Sequence, residues 1–196
     1  MSERVAKIER ETAETQIALE LVLDGCGEAA INTGVGFFDH MLTHIARHGL
    51  FDLTVEASGD VHVDHHHLVE DVGIVLGAAI AAAVGDKSGL VRYGMAACPM
   101  DEALVMVSLD LSGRPWCRCD LSMPTEKMGD FDTELVREFF FAVANNAAMA
   151  LHIVQHSGAN SHHIAEGTFK SFARALDAAT HLDERVAGVP STKGTL

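Results

Sequence analysis

The sequence has no apolar run long enough to cross a membrane, and it has few basic residues. Its longest apolar stretch, VGIVLGAAIAAAVG, covers residues 72–85 and is shorter than the roughly 20 residues that a transmembrane helix needs. We therefore interpret it as a buried helix. Only 14 Lys and Arg oppose 28 Asp and Glu, which gives a formal net charge of −14. This charge argues against binding to nucleic acid or to an anionic membrane, because both require basic stripes.

Paired cysteine motifs are also missing. Cys26, Cys98, Cys117 and Cys119 form no CxxC pair and show no spacing typical of a structural zinc site. We expect reduced, mostly buried thiols that behave as small apolar side chains. The N-terminal segment MSERVAKIERETAE has neither the apolar core of a signal peptide nor the acid-poor composition of a transit peptide. These absences predict a cytoplasmic protein.

The apolar residues that are present follow strand and helix periods in turn. Leu19, Leu21 and Leu23 lie on one face of a predicted strand, and FFDHMLTHIARHG has the spacing of a helix that Gly49 closes. The strand LFDLTVEA follows, and then a long helix from His66 to Val84. The first half of the chain is therefore read as strands, helix, strand and helix.

The second half repeats this order. FDTELVREFFFAVANN is predicted to form a helix with Asp132 as its N-cap, MALHIVQH a strand, and HHIAEGTFKSFARALDAAT the last helix. Local matches such as LVLDGCG with VSLDLSG indicate a duplication with a period of about a hundred residues.

The predicted fold class is α+β, with two pseudo-repeated half-domains. Each is expected to contain a mostly antiparallel sheet of about four strands plus two helices, packed as a central four-helix layer between two sheets. We assign residues 1–88 to the first half-domain and 89–185 to the second. Residues 186–196 form a turn-rich C-terminal tail that we expect near the functional site.

An HHxxE motif occurs at the start of the last predicted helix of each half. The motif residues are His66, His67, Glu70, His162, His163 and Glu166. Positions i and i+4 of a helix share one face, whereas i+1 points about 100° away. Each motif can therefore chelate one metal ion through its first histidine and its glutamate, and offer its second histidine to another ion. Such mixed nitrogen and oxygen sites suit manganese, iron, nickel or zinc.

Other interpretations of these histidines remain open at this point. In the structural alternative, the histidines are exposed at a helix N-terminus, where the glutamate favours the positive end of the dipole. Two copies at equivalent places favour metal binding instead. A ferritin-like bundle conflicts with the strand patterns and with the reversed order of the motif. His40, His44 and His48 share one helical face, but their spacing does not distinguish metal ligands from substrate contacts.

Several motifs together resemble the imidazoleglycerol-phosphate dehydratase family of histidine biosynthesis. They are GVGFFDHML, HGLFDLTVEASGDVHVDHHHLVED, SLDLSGRP, NSHHIAEGTFKSFARAL and PSTKG. The resemblance extends from Arg4 to Gly194. It implies a lyase that removes water from imidazole glycerol phosphate to give imidazole acetol phosphate, with two Mn²⁺ ions at each active site.

The resemblance also implies the residues that do this work. The implied metal ligands are His40, His66, His67, Glu70, His162, His163 and Glu166. Glu138 stands where a number of relatives have a histidine, and we expect it as a further ligand because a carboxylate also binds Mn²⁺. The implied catalytic residues are Glu14, Glu70 and Glu166. The implied substrate-binding residues are Glu14, His40, His48, Arg92, Arg114, Lys170, Ser191 and Lys193.

The chemistry explains why such residues are needed. A proton must leave a carbon that no carbonyl activates, and hydroxide must then be expelled. Two Lewis-acidic ions would stabilise an imidazolate-like intermediate, a carboxylate would move the protons, and arginine forks would bind the phosphate.

The resemblance further implies a homo-oligomer of 24 subunits built from trimers, with active sites completed at subunit contacts. Two alternatives use the same ligands. One is a dinuclear metallohydrolase that acts on a phosphate ester through metal-activated water, which would release inorganic phosphate. The other is a metal-storage or assembly protein without catalysis, which would need no phosphate-binding set.

Overall fold

The computed structural model describes residues 4–194 of the 196-residue chain. The helices and strands, in chain order, are β1 (Val5–Glu11), β2 (Thr15–Val22), β3 (Ala29–Asn32), α1 (Gly36–Gly49), β4 (Asp52–Gly59), α2 (His66–Val84), β5 (Tyr93–Met100), β6 (Ala103–Asp110), β7 (Trp116–Asp120), β8 (Lys127–Met128), β9 (Phe131–Asp132), α3 (Leu135–Asn146), β10 (Ala150–Ser157) and α4 (Ser161–Thr180).

The two halves of the chain have the same sheet topology. The first sheet has the strand order β1-β2-β4-β3 and the second has β5-β6-β10-β7. In each sheet one strand pair is parallel, β3 with β4 and β7 with β10, and the remaining neighbours are antiparallel. The structure confirms the predicted α+β fold with pseudo-repeated halves.

Strand alternation determines which face of each sheet is buried. In β2 the inward residues Ile17, Leu19 and Leu21 are almost fully buried, while the residues between them are more exposed. The same alternation in β6 buries Val105 and Val107. Because side chains in a strand point to opposite faces with a period of two, each sheet presents one apolar face to the helices.

The four helices form the central layer between the sheets, as predicted. Helix α2 packs on β1 and β2 and against α3, whereas α4 packs on β5 and β6 and against α1. Each helix pair therefore joins one half of the chain to the other. Within the layer, the buried side chains of Phe139 and Phe140 of α3 pack against Phe169 and Phe172 of α4, with neighbouring ring centroids about 5 Å apart.

Helix α2 is the apolar segment that the sequence analysis singled out. Within residues 4–194 it is the one helix long and apolar enough to span a membrane, with a mean hydropathy of 1.7 over its most apolar window, yet 67% of that window is buried inside the protein. Its packing against α3 and the first sheet identifies it as a core helix.

The structure corrects two local expectations and adds one element. Asp132 is not the N-cap of α3, because it lies in β9 and the helix begins after Glu134 without a side-chain cap. The two-residue strands β8 and β9 form a small hairpin that the sequence analysis did not predict. All four cysteines are free, as expected, but Cys26 is exposed and the other three are only half-buried.

Candidate active site

One cluster of titratable side chains lies between the start of α4 and the facing side of α1. Its centre is the buried carboxylate of Glu166, whose Oε2 is 3.2 Å from Nε2 of His162 and 3.8 Å from Nε2 of His40. The potential ligand atoms of these three residues all lie within 4.8 Å of one another. The first histidine and the glutamate of this HHxxE motif therefore share one face of the helix, as their spacing predicts.

The electrostatic environment keeps Glu166 ionised. Burial alone would raise the pKa of Glu166, but the hydrogen bond from Lys170 and the neighbouring basic side chains bring this pKa below its usual value. A carboxylate held in this state offers lone pairs to a cation and does not bind a proton at neutral pH.

His44 completes this cluster, and the sequence analysis did not assign it a role. Its Nε2 is 3.4 Å from Oε1 of Glu166 and 3.2 Å from Nε2 of His40. Burial lowers the pKa of His44 to about 4, against the opposing effect of Glu166, so this imidazole is neutral at physiological pH. The rings of His40, His44 and His48 contact one another in sequence, which confirms that they line one face of α1.

A second cluster surrounds the start of α2. Nδ1 of His67 is 3.0 Å from Oδ2 of Asp60 and 3.7 Å from Oε2 of Glu14. Potential ligand atoms of these three residues also lie within 4.8 Å of one another. The other oxygen of Asp60, Oδ1, is buried and has no hydrogen-bond partner within residues 4–194.

The remaining residues of the first motif, His66 and Glu70, share the i, i+4 face of α2 and not the direction of His67. The ring of His66 is nearly perpendicular to that of His67, at 85°. Glu70 is exposed and lines a cavity of about 380 Å³ together with Glu138 and Arg137 of α3. The structure thus brings the two carboxylates Glu70 and Glu138 to one cavity between α2 and α3.

In the second motif, His163 turns away from Glu166. Its Nδ1 is 2.7 Å from Oε2 of Glu102, in the turn between β5 and β6, and its Nε2 is 3.9 Å from Oδ2 of Asp101. The hydrogen bond with Glu102 raises the pKa of His163. The two histidines of each motif therefore point in different directions, as the helical geometry predicts.

Four of the predicted substrate-binding residues line a single cavity. The cavity, of about 500 Å³, is lined by Arg92, Tyr93, Arg114, Pro190, Ser191, Thr192 and Lys193. It lies between the start of β5, the turn after β6 and the C-terminal tail. The tail is therefore adjacent to a candidate anion site.

Arg92 holds this cavity together. Its guanidinium donates two hydrogen bonds to Asp110, at 2.6 and 3.0 Å, and one to the carbonyl of Pro190, at 2.8 Å. The hydrogen bond with Asp110 raises the pKa of Arg92 further. Because these contacts use both sides of the Arg92 fork, the exposed Arg114 and Lys193 have the greater freedom to bind an anion.

Lys170, which is also predicted to bind substrate, lies elsewhere. Its ammonium contacts Glu166 one turn earlier in α4. The cavity lined by Arg92 and Arg114 is instead near the other end of this helix, where the backbone of Arg92 donates to the carbonyl of Ala179. At 1.5 Å per residue, His162 and Ala179 are roughly 25 Å apart along α4. One chain therefore holds its histidine cluster and this candidate anion site far apart.

The sequence analysis missed three residues that contact the predicted ligands: His44, Asp60 and Glu102. His44 was recognised as part of a helical face, but periodicity does not report burial beside a carboxylate. Asp60 and Glu102 lie in turns at different distances from their histidines along the chain, so no fixed spacing marks them.

Comparisons with known proteins agree with the resemblance found in the sequence. A family model described as imidazoleglycerol-phosphate dehydratase matches residues 33–176. The curated imidazoleglycerol-phosphate dehydratase of Desulforamulus reducens is 57% identical over 196 residues, covering 100% of both chains. That of Dinoroseobacter shibae is 58% identical over 194 residues, covering 98% of this chain and 100% of its own.

Solved structures of enzymes with the same name also match. The crystal structure from Staphylococcus aureus has a TM-score of 0.83 at 42% identity and covers 91% of this chain and 99% of its own. The structure from Pyrococcus furiosus has a TM-score of 0.83 at 38% identity and covers 96% of this chain and 100% of its own. The match therefore extends over both halves of the fold.

Proposed function

This chain belongs to the imidazoleglycerol-phosphate dehydratase family of histidine biosynthesis, and on that premise we propose the reaction and the residues that carry it out. The reaction removes water from imidazole glycerol phosphate and gives imidazole acetol phosphate. It depends on two Mn²⁺ ions per active site and takes place in the cytoplasm.

The observation that carries this proposal is the placement of the histidines and carboxylates at the starts of two equivalent helices. His40, His162 and Glu166 form one donor group. At the start of the equivalent helix α2, His67 lies beside Asp60 and Glu14, which are not among the proposed ligands. The donors are imidazole nitrogens and carboxylate oxygens without any thiolate, a set that suits Mn²⁺. The unpartnered Oδ1 of Asp60 is consistent with a polar or charged group that binds beside it.

We assign the ligands His40, His66, His67, Glu70, His162, His163 and Glu166, with Glu138 as a further ligand. Within one chain, His162 and His163 face different surroundings, and Glu70 lies beside Glu138. Complete coordination therefore requires ligands from neighbouring chains. The bound Mn²⁺ ions supply Lewis acidity that makes the substrate imidazole an acceptor of electron density.

The distance between the histidine cluster and the phosphate cavity supports the same arrangement. Imidazole glycerol phosphate is much shorter than the roughly 25 Å that separates the two sites along α4. The phosphate-binding set of one chain must then serve the metal ligands of another. This geometry supports the proposed oligomer of 24 subunits built from trimers, with active sites at the subunit contacts.

The protein side chains move the protons and bind the phosphate. Glu14 is exposed in the turn between β1 and β2 and lies 3.7 Å from His67, so its carboxylate can take a proton from substrate bound beside that histidine. Lys170 holds Glu166 ionised through their contact. Arg114, Ser191 and Lys193 bind the phosphate through charge-assisted hydrogen bonds, while Arg92 organises their cavity.

Product analysis tests the reaction. Purified protein is incubated with imidazole glycerol phosphate, and the ketone and inorganic phosphate are both measured. We expect a new ketone with the phosphate retained. Release of inorganic phosphate would contradict the dehydratase reaction and favour the metallohydrolase alternative.

Substitution at the phosphate cavity tests the substrate assignment. Arg114→Ala should raise KM at least tenfold while manganese content and particle size stay unchanged, because one charge-assisted contact contributes about 1.5–3 kcal/mol. The matched control is Arg118→Ala, which removes an exposed arginine on β7 that pairs with Asp120. Equal KM values for the two variants would contradict the phosphate role of Arg114.

The role of Glu14 has a separate test. Glu14→Gln should reduce kcat by about 100-fold or more if Glu14 moves a proton in the reaction. Manganese content should not change, because Glu14 is not one of the proposed ligands. Unchanged turnover in a variant that still binds manganese would contradict the assignment.

A further inference from the structure

A carboxylate contacts Nδ1 of the second histidine in each HHxxE motif. In the first half it is Asp60, 3.0 Å from His67, and in the second half it is Glu102, 2.7 Å from His163. We propose that Asp60 and Glu102 are positioning residues: each accepts the Nδ1–H of its histidine and so leaves the Nε2 lone pair available to a metal ion. This inference rests on the metal-dependent function proposed above.

The physical reason is the tautomerism of histidine. A neutral imidazole carries its proton on one of its two nitrogens, and the hydrogen bond made by one nitrogen determines which of them can ligate. An ionised carboxylate only accepts hydrogen bonds. Nδ1 must therefore be the donor, and Nε2 is left as the ligand atom.

The surroundings of Glu102 fix its orientation. The Oε1 atom accepts hydrogen bonds from the backbone N–H groups of Ala159 and Asn160, at 3.0 and 2.9 Å, and Oε2 accepts from His163. With Oε1 held by two backbone donors, Oε2 of Glu102 faces His163 as a hydrogen-bond acceptor.

The two carboxylates are not at equivalent places in the repeat. Glu102 immediately precedes β6, and its counterpart immediately before β2 is Glu14. In the first half, Asp60 is hydrogen-bonded to Nδ1 of His67. Glu14 is exposed, and its Oε2 is 3.7 Å from the same nitrogen. The second carboxylate of the first half thus lies near the same nitrogen, Nδ1 of His67, whereas Asp101 in the second half lies 3.9 Å from Nε2 of His163. Asp60 leaves Glu14 available to the substrate.

Glu102→Gln is the decisive variant because the backbone determines how the new amide is oriented. The N–H groups of Ala159 and Asn160 require an oxygen opposite them, so the amide NH₂ must face Nδ1 of His163. That histidine would then accept at Nδ1 and carry its proton on Nε2, which blocks ligation. We expect manganese affinity to fall by about 10–100-fold, the range seen when partners of metal-ligating histidines are removed.

Asp60→Asn should have a smaller effect. Oδ1 of Asp60 has no partner within residues 4–194, so an asparagine can rotate and still present its oxygen to His67. We therefore expect manganese affinity to fall less in Asp60→Asn than in Glu102→Gln. Glu9→Gln is the charge-matched control, since Glu9 is exposed on β1 and should have no effect.

The measurement is manganese retention by the loaded protein during dialysis against increasing chelator, with metal quantified per folded chain by mass spectrometry. Thermal unfolding of the fully chelated proteins controls for damage to the fold. Equal retention by Glu102→Gln and wild type would overturn the inference, as would a loss that merely follows unfolding. A larger loss in Asp60→Asn than in Glu102→Gln would also overturn it. Wild-type protein that retains no manganese would instead overturn the metal-dependent function itself.

Discussion

The contact between α2 and α3 leads to a quantitative prediction for Gly77→Ala. A Cβ atom at Gly77 would lie 2.6 Å from the carbonyl oxygen of Val143 and 2.8 Å from Cβ of Asn146. Relaxed carbon contacts are about 3.5–4.0 Å, so α3 would have to move by roughly 1 Å. The nearest obstruction is backbone, which cannot rotate aside as a flexible side chain does.

The expected magnitude follows from two opposing effects. Overpacking costs about 1–3 kcal/mol, and the rigid backbone contact favours the upper part of that range. Replacing an interior helix glycine by alanine recovers up to about 1 kcal/mol of helix propensity. We expect a net destabilisation of about 2 kcal/mol, which corresponds to a fall in Tm of about 4–8 °C for a chain of this size.

Thermal unfolding at one fixed protein concentration and metal content measures this effect. The matched control is Gly36→Ala at the first residue of α1, where an added Cβ meets no atom within 4 Å and Tm should be unchanged or slightly higher. A Gly77→Ala variant as stable as wild type would refute the reasoning. Because α2 carries Glu70 and α3 carries Glu138, manganese retention should also fall in Gly77→Ala and not in the control.

Three further predictions follow from other parts of the structure. Backbone N–H groups lower the pKa of Asp52. The stabilisation that Asp52 provides is therefore present above the unfolded pKa near 3.8 and is lost as the pH falls. The loss of unfolding free energy in Asp52→Asn, measured by urea unfolding, should shrink from pH 7 towards pH 3. Burial raises the pKa of Cys117 to about 11 and of Cys119 to about 12, so iodoacetamide at pH 7.5 should leave both unlabelled until the protein is unfolded. Arg92→Gln should release the tail and speed tryptic cleavage after Lys193, and unchanged cleavage would contradict the anchoring role.

Much of the fold could be predicted because apolar periodicity is a local signal. The alternation of Ile17, Leu19 and Leu21 and the long apolar run that ends at Val84 predict the strand and the helix that the structure contains. The small hairpin around Phe131 was missed because two-residue strands are too short to show alternation. The same hairpin occupies Asp132, so that residue cannot cap α3.

The candidate site could be predicted only in part. Helical spacing places His162 beside Glu166, and it also separates the directions of the two histidines of each motif. Contacts between distant segments carry no such signal. Asp60 and Glu102 reach their histidines from turns, and the burial of His44 depends on the packing of α1 on α4. These contacts are tertiary, and no fixed spacing in a single sequence encodes them.

The most direct test of the central claim is to measure manganese content per chain and dehydratase turnover on the same samples as the protein is chelated and then reloaded. We expect turnover to disappear on complete metal removal and to return in step with manganese, reaching its maximum near two ions per chain. Turnover of imidazole glycerol phosphate by protein that contains no metal would contradict it.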